Sequence, residues 1–131
     1  MSLVKGLAHI GLRVHELARS RAFYELLEFQ FVAGPLGPEP VAILQHPSGL
    51  ELNLILNAAP SSNQNVLMDV VEKHAGYTHF ALLVSSIEEA QERLAAAGFS
   101  LSGGPMTHPD GTRAIFVRDP DRNVVELDQK A

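Results

Sequence analysis

Two stretches decide the fold: His9-Ile10-Gly11-Leu12-Arg13-Val14 and, in the second half, His79-Phe80-Ala81-Leu82-Leu83-Val84. Aligned on their histidines, residues 9–29 run against 79–99 without a gap, and Phe29 falls on Phe99. Further along, Leu44-Gln45-His46-Pro47 matches Val117-Arg118-Asp119-Pro120. Leu50-Glu51-Leu52 is then set against Val125-Glu126-Leu127, which gives the second half a few extra loop residues. The chain reads as one unit stated twice. A copy of ~50–60 residues buries little core by itself, so the two copies are expected to pack together.

Alternate side chains of a strand point to opposite faces. In the first stretch Leu7, His9, Gly11 and Arg13 share one face. Ala8, Ile10, Leu12 and Val14 share the other, which is apolar throughout and suited to cover a helix. Working outward, a helix is predicted over about 16–28, with Leu17, Phe23, Leu26 and Leu27 as its apolar stripe. Pro35, Gly37, Pro38 and Pro40 read as a loop. Strands follow at 41–45 and 50–56 around a His46-Pro47-Ser48-Gly49 turn. On the second of these Glu51, Asn53 and Ile55 face one way, and Leu50, Leu52, Leu54 and Leu56 the other. Residues 57–76 connect the halves, with a short helix expected over 66–73.

The second copy predicts a strand over 77–84 and a helix over 87–97. Ser86 and Glu89 form a capping box at its start and Gly98 closes it. A loop holds Gly103, Gly104, Pro105, Pro109 and Gly111. Strands at 113–118 and 123–128 flank Asp119-Pro120-Asp121-Arg122, and Val124, Glu126 and Asp128 share one face of the last. One more strand per copy is left open near 30–33 and 99–102. The fold class expected is α+β: two tandem βαβββ modules forming a curved, cleft-enclosing mixed β-sheet with helices outside. They form a single domain, with module one at about 6–57, a connector at 58–76 and module two at 77–128.

A chain of 131 residues suits one domain. It has no cysteine, so disulfides and thiolate chemistry are excluded. No apolar run reaches about 18 residues, and the start does not resemble a signal peptide. A cytoplasmic location is expected, with no membrane partner. Net charge is −5 and the basic residues are scattered, which argues against nucleic-acid binding.

Each copy places a histidine on its first strand and a glutamate on its last, on the face away from the helix. His9, Glu51, His79 and Glu126 are therefore candidate ligands of one metal ion. Two imidazoles and two carboxylates suit Ni²⁺, Zn²⁺, Co²⁺, Mn²⁺ or Fe²⁺. A glutamate within Leu50-Glu51-Leu52-Asn53-Leu54 calls for a partner, because burying an unpaired charge is costly. An octahedral ion on four protein ligands keeps two positions for substrate oxygens, and Glu126 or Glu51 would move a proton. Arg13, four residues past His9 on the same face, is a candidate for an anionic group of a small-molecule substrate. An ion pair to Asp or Glu is the equal alternative. Asn53 and Asn57 share the face of Glu51 and are candidate substrate-binding residues. His15, His46, His74 and His108 lack counterparts in the other copy and read as surface or loop residues, with His108 in a loop able to close over a substrate.

These residues, with Ser20-Arg21-Ala22-Phe23-Tyr24, Tyr77-Thr78-His79-Phe80-Ala81 and Phe116-Val117-Arg118-Asp119-Pro120-Asp121, resemble the vicinal oxygen chelate superfamily over about 6–128. Its members include glyoxalase I, extradiol dioxygenases, methylmalonyl-CoA epimerase, fosfomycin-resistance enzymes and bleomycin-resistance proteins. The resemblance implies paired βαβββ modules, usually in a homodimer, with the site made within one chain or across two. The His/Glu and His/Glu order looks most like glyoxalase I, which isomerises the glutathione hemithioacetal of methylglyoxal through an enediolate. That likeness implies Ni²⁺ or Zn²⁺ on His9, Glu51, His79 and Glu126, with glutathione as co-substrate. Arg13 fits its pattern too. Three positions depart from it: Ile55 stands four residues after Glu51 where asparagine is usual, Leu27-Glu28 replaces Leu-Gly, and Arg122 replaces a turn glycine. Other members keep the alternatives open. A dioxygenase or fosfomycin-type transferase would need two His and one Glu, an epimerase would have Gln at Glu51, and a drug-binding module would need no metal.

Overall fold

The structure, a computed structural model, describes residues 2–131. Its first module runs β1 (Ile10–Arg13), α1 (Leu17–Leu26), β2 (Gln30–Leu36), β3 (Val41–Gln45) and β4 (Glu51–Ile55). The second runs β5 (His79–Leu83), α2 (Ile87–Ala96), β6 (Leu101–Thr107), β7 (Arg113–Arg118) and β8 (Val124–Gln129). The α+β class and the tandem βαβββ order expected from the sequence are thus present. Each module carries its own four-stranded mixed sheet, ordered β1-β4-β3-β2 in the first and β5-β8-β7-β6 in the second. In each the first strand joins the last in parallel, and the other pairings are antiparallel. The chain divides into two compact units between Ser62 and Asn63, so the later part of the connector belongs with the second module. No helix among the described residues is long and apolar enough to cross a membrane.

Period-two patterning buries the sheet faces that meet the helices. Leu52 and Leu54 of β4 are buried, as are Ala42 and Leu44 of β3. Phe23 and Tyr24 fill the first core edge to face, with centroids 4.9 Å apart, and Tyr24 meets Phe29 at 6.1 Å. In the second module Ile87 and Leu94 of α2 are buried, as are Ile115, Val125 and Leu127 of the sheet.

Both helices close with the same pair of hydrogen bonds. Glu28 N–H donates to Glu25 O at 3.0 Å and Phe29 N–H to Tyr24 O at 3.1 Å; Gly98 N–H donates to Ala95 O at 3.0 Å and Phe99 N–H to Leu94 O at 2.9 Å. This closure needs a left-handed residue. Gly98 takes it at φ 91°, but Glu28 is forced to φ 72° with a Cβ in the way. Glu28→Gly is therefore expected to raise stability by about 0.5–1 kcal/mol, the relief of strain exceeding the added freedom of the unfolded chain. A urea unfolding curve checks it. At the other end of α2, Ser86 Oγ accepts from Glu89 N–H at 3.1 Å. Glu89 itself pairs with Arg93 at 3.2 Å, and Gln129 Oε1 accepts from Ile87 N–H at 2.9 Å.

Three expectations are corrected. First, Pro35 and Gly103-Gly104-Pro105 do not lie in loops: they are inside β2 and β6. Both are edge strands, where proline costs no ladder hydrogen bond. The glycines before them are required. A Cβ at Gly104 would stand 2.6 Å from Ala114 O, and one at Gly34 would collide with Val41 O. The two glycine-prolines occupy matching places, each at a register shift, so the duplication extends through them.

Second, residues 66–73 form turns and bends, not a helix. Asn65 Oδ1 accepts from Leu67 and Met68 N–H at 3.0 and 3.2 Å, and such local bonds compete with helix. The segment is then pinned by Asp69, whose oxygens accept from Arg118 Nη2 and Arg122 Nε, each at 2.9 Å. Arg118 also donates to Arg122 O at 2.9 Å. Arg122 sits at φ 67°, where glycine is usual, and the ion pair offsets the strain. The two guanidiniums, Arg122 above all, hold the Asp69 carboxyl well below the usual carboxylate range. A depressed folded-state pKa stabilises fully above the ordinary carboxylate range, near pH ~4, and that contribution is lost as pH falls from there through the lower folded-state pKa. Asp69→Asn is expected to cost about 1 kcal/mol at pH 7, and urea curves of mutant and wild type should converge below pH ~4.

Third, the modules are not in the register the sequence match assumed. Gly11 pairs with Asn53 and Ile43 with Asn53; the equivalent Ala81 pairs with Glu126 and Phe116 with Glu126. The β3–β4 and β7–β8 turns close alike, through His46 N–H to Leu50 O at 2.8 Å and Asp119 N–H to Asn123 O at 2.9 Å. Glu51 is thus the counterpart of Val124, and Asn53 that of Glu126. The extra residues of the second module lie between β6 and β7. A two-residue slip keeps every side chain on its own face, so the face argument could not detect it.

Candidate metal centre

In the first module His9 stands just before β1 and Glu51 opens β4. His9 Nδ1 lies 4.0 Å from Glu51 Oε2, and Gln45 Nε2 donates to Glu51 Oε1 at 3.4 Å. Asn53 follows on the same face. Its Oδ1 is buried and has no hydrogen-bond partner. Arg13 Nε donates to Asn57 Oδ1 at 2.8 Å, and both residues meet Glu39, at 3.8 Å from Arg13 Nη2 and 3.3 Å from Asn57 Nδ2. Arg13 therefore makes the ion pair that was the alternative to substrate binding. Glu39, within the proline-rich turn, carried no signal in the sequence.

The second module gathers more. His79 Nε2 lies 3.0 Å from Glu126 Oε1. The other ring nitrogen, Nδ1, shares a hydrogen bond with Thr78 Oγ1 at 2.8 Å, and the ring meets Phe116 edge-on at 5.9 Å. Those contacts orient the imidazole toward the carboxylate, as a supporting shell does in metal sites. His108 Nε2 lies 3.9 Å from Glu126 Oε2. Donor atoms of His108, Glu126 and Asp128 all lie within 4.8 Å of one another. Glu126 is nearly buried, with 11 % of its side chain exposed. A hydrogen bond shared with Asp128, then burial, push its pKa above the ordinary value, and the nearby histidines oppose the shift only in part. A divalent ion takes the ionised carboxylate, so a raised pKa couples its uptake to pH.

The donor set fits a borderline ion: imidazole nitrogen beside buried carboxylate oxygen, with Asp128 Oδ1 buried and lacking a hydrogen-bond partner. The structure brings His9 to Glu51, His79 to Glu126, and Arg13 to Asn57. Two residues of the cluster, His108 and Asp128, were noted in the sequence but not read as ligands. Asp128, two residues beyond Glu126 on the same strand face, was readable as a neighbour. His108 had no counterpart to mark it. It is carried in by the β6–β7 turn, where His108 N–H donates to Thr112 O at 2.8 Å and Gly111 N–H to His108 O at 2.9 Å.

The chain belongs to the glyoxalase/bleomycin resistance protein/dioxygenase superfamily, whose family profile matches residues 6–127. Among solved structures it is similar to a glyoxylase/bleomycin resistance protein/dioxygenase domain from Frankia sp. EAN1pec, at 22 % identity and TM-score 0.80, over 98 % of this chain and 99 % of that one. It is similar to the fosfomycin resistance protein FosX from Listeria monocytogenes, at 20 % identity and TM-score 0.75, over 98 % and 94 % of the two chains. It is also similar to TnmS3, an antibiotic binding protein from Streptomyces sp. CB03234, at 19 % identity and TM-score 0.75, over the full length of both. At these identities the likeness is one of fold. Asn57 stands four residues after Asn53, the position that the register sets against Glu126.

Proposed function

We propose that the protein is a metal-dependent enzyme acting on a small molecule. It holds a divalent ion, Ni²⁺ or Zn²⁺ first among the candidates, through His79 and Glu126. The observation that carries this reading is the His79–Glu126 pair, at 3.0 Å around a nearly buried carboxyl whose pKa is raised by its hydrogen bond with Asp128 and by burial. The ion would supply a Lewis acid that stabilises negative charge on substrate oxygens. Glu126 would take a proton from substrate carbon and return it to the neighbouring carbon, with Asp128 tuning its basicity. Arg13 and Asn57 would meet an anionic part of the substrate by exchanging Glu39 for it. The first reaction to expect is isomerisation of a hemithioacetal formed from methylglyoxal and a thiol such as glutathione. The working assembly is a cytoplasmic homodimer, each chain a single domain of modules 6–57 and 77–128 joined by 58–76.

One observation favours a second reading. Asn53 occupies in the first module the place of Glu126 in the second, which leaves two histidines and one carboxylate at equivalent positions. That set leaves more positions open to substrate, as in oxygen-activating sites and as expected for a fosfomycin-type transferase. The test is an activity panel on protein loaded in turn with Ni²⁺, Zn²⁺, Mn²⁺ and Fe²⁺. Turnover of methylglyoxal with glutathione supports isomerisation; turnover of fosfomycin with a thiol, or of a catechol with oxygen, moves the assignment. Tight drug binding without turnover on any ion would make the protein a binding module.

A further inference from the structure

We propose that the bound ion is held within the second module alone, with His108 and Asp128 as donors beside Glu126 and His79. This rests on the metal-binding reading above and adds two residues to that site. Donors that share one ion at bonds of about 2.0–2.2 Å stand roughly 3–4.4 Å apart. His79 Nε2 lies 3.0 Å from Glu126 Oε1, and His108 Nε2 lies 3.9 Å from Glu126 Oε2. Glu126 thus turns one oxygen to each imidazole, and a carboxylate bound through both oxygens brings both rings to one ion. Donor atoms of His108, Glu126 and Asp128 lie within 4.8 Å of one another, so small side-chain rotations close the set. Nδ1 of His79 is engaged by Thr78 Oγ1, which leaves Nε2 for the ion. Two carboxylates offset the charge of a divalent ion and lower the cost of taking it into a nearly buried place.

The duplication shows why only this module builds the cluster. Ile55 pairs with Arg13 and Val41 in the first module, and Asp128 pairs with Leu83 and Ala114 at the matching place in the second. An apolar side chain thus stands in one copy where the other has an acid. His108 lies in the stretch between β6 and β7 that the second module has in excess. Its position is set by the backbone of that turn. His108 N–H donates to Thr112 O at 2.8 Å, Gly111 N–H donates to His108 O at 2.9 Å, and Asp110 Oδ1 accepts from Thr112 N–H at 2.9 Å. Gly111 permits the turn at φ 86°, where a Cβ would stand 2.8 Å from that of Ala131. Asp128 supplies an independent observation. It lies two positions beyond Glu126 on the same face, and its Oδ1 is buried without a hydrogen-bond partner. Folded proteins rarely leave such an oxygen unpaired without a use, and an acceptor-only carboxylate is suited to a cation.

The experiment is calorimetric titration of Zn²⁺ and Ni²⁺ into wild type, His108→Ala, Asp128→Ala, Asp128→Asn, His9→Ala and Glu51→Gln, with circular dichroism to confirm that each variant is folded. His108→Ala and Asp128→Ala are each expected to weaken affinity by about tenfold or more, while His9→Ala and Glu51→Gln change it by less than about threefold. Asp128→Asn keeps the side chain's size and removes its charge, so it reports even if the alanine variant folds poorly; it too is expected to weaken binding by about tenfold. An affinity indifferent to His108→Ala and to both Asp128 substitutions overturns the assignment. So does a loss of tenfold or more on His9→Ala or Glu51→Gln, which would bring the first module into the site. Wild type that binds neither ion overturns the metal reading itself, a result distinct from both.

Discussion

Glu126→Gln is expected to lower kcat by on the order of 10²–10⁴-fold on whichever substrate the protein turns over. Glutamine matches glutamate in shape, so the β8 strand and its buried contacts should survive. What is lost is a group that can carry a proton and a charge. Glu126 is the point where His79, His108 and Asp128 converge, at 3.0 Å from the first histidine and 3.9 Å from the second. Among the described residues, no other carboxylate combines such burial with two imidazoles. Because a hydrogen bond to Asp128 raises its pKa, the native carboxyl is also a source of repulsion once ionised. The variant is therefore expected to unfold at the same temperature as wild type or slightly above. Parallel kinetics and thermal melts check this; a falling melting temperature with unchanged kcat would reduce Glu126 to a structural residue.

Asp119→Ala is expected to cost about 2–3 kcal/mol of stability, the largest effect among polar residues away from the metal centre. Asp119 is 3 % exposed and organises the β7–β8 turn. Its Oδ1 accepts from Asp121 N–H at 2.9 Å and Asn123 N–H at 2.8 Å, and its Oδ2 from Asn123 Nδ2 at 2.8 Å. Alanine leaves all three donors without this acceptor in a poorly solvated turn. Asp119→Asn, which keeps one acceptor oxygen, should lose about half as much. Urea unfolding at pH 7 separates the two, and equal midpoints for Asp119→Ala and wild type would contradict the account. The turn also sets the register in which β8 presents Glu126, so a weakened turn should loosen metal binding in proportion.

Much of this was legible in the chain because strands with one buried face write their period directly. The alternation in Leu50 to Leu56 and the capping serine before α2 gave elements correct to within a residue or two. The edge strands were hidden because glycine and proline, ordinarily breakers, are tolerated where no neighbour needs an N–H. The turns around Asn65 were hidden because their cause, the Asp69 clamp, is made with arginines far along the chain. The candidate site was half legible. His79 and Glu126 stood out, and the structure joins them. The pairing of Glu51 with Glu126 was not sound, since a Glu-Leu dipeptide recurs in both copies two residues out of step. Only the hydrogen-bonded register distinguishes Glu51 from Asn53, and sequence periodicity is blind to a shift of two.

The most direct measurement is the metal content of purified protein, by elemental analysis of wild type and of the His79→Ala, Glu126→Gln double variant after equilibration with Zn²⁺ and desalting. One ion per chain in wild type and none in the variant is the result predicted. No ion in wild type, or equal content in both, would show that the His79–Glu126 pair is not a metal centre.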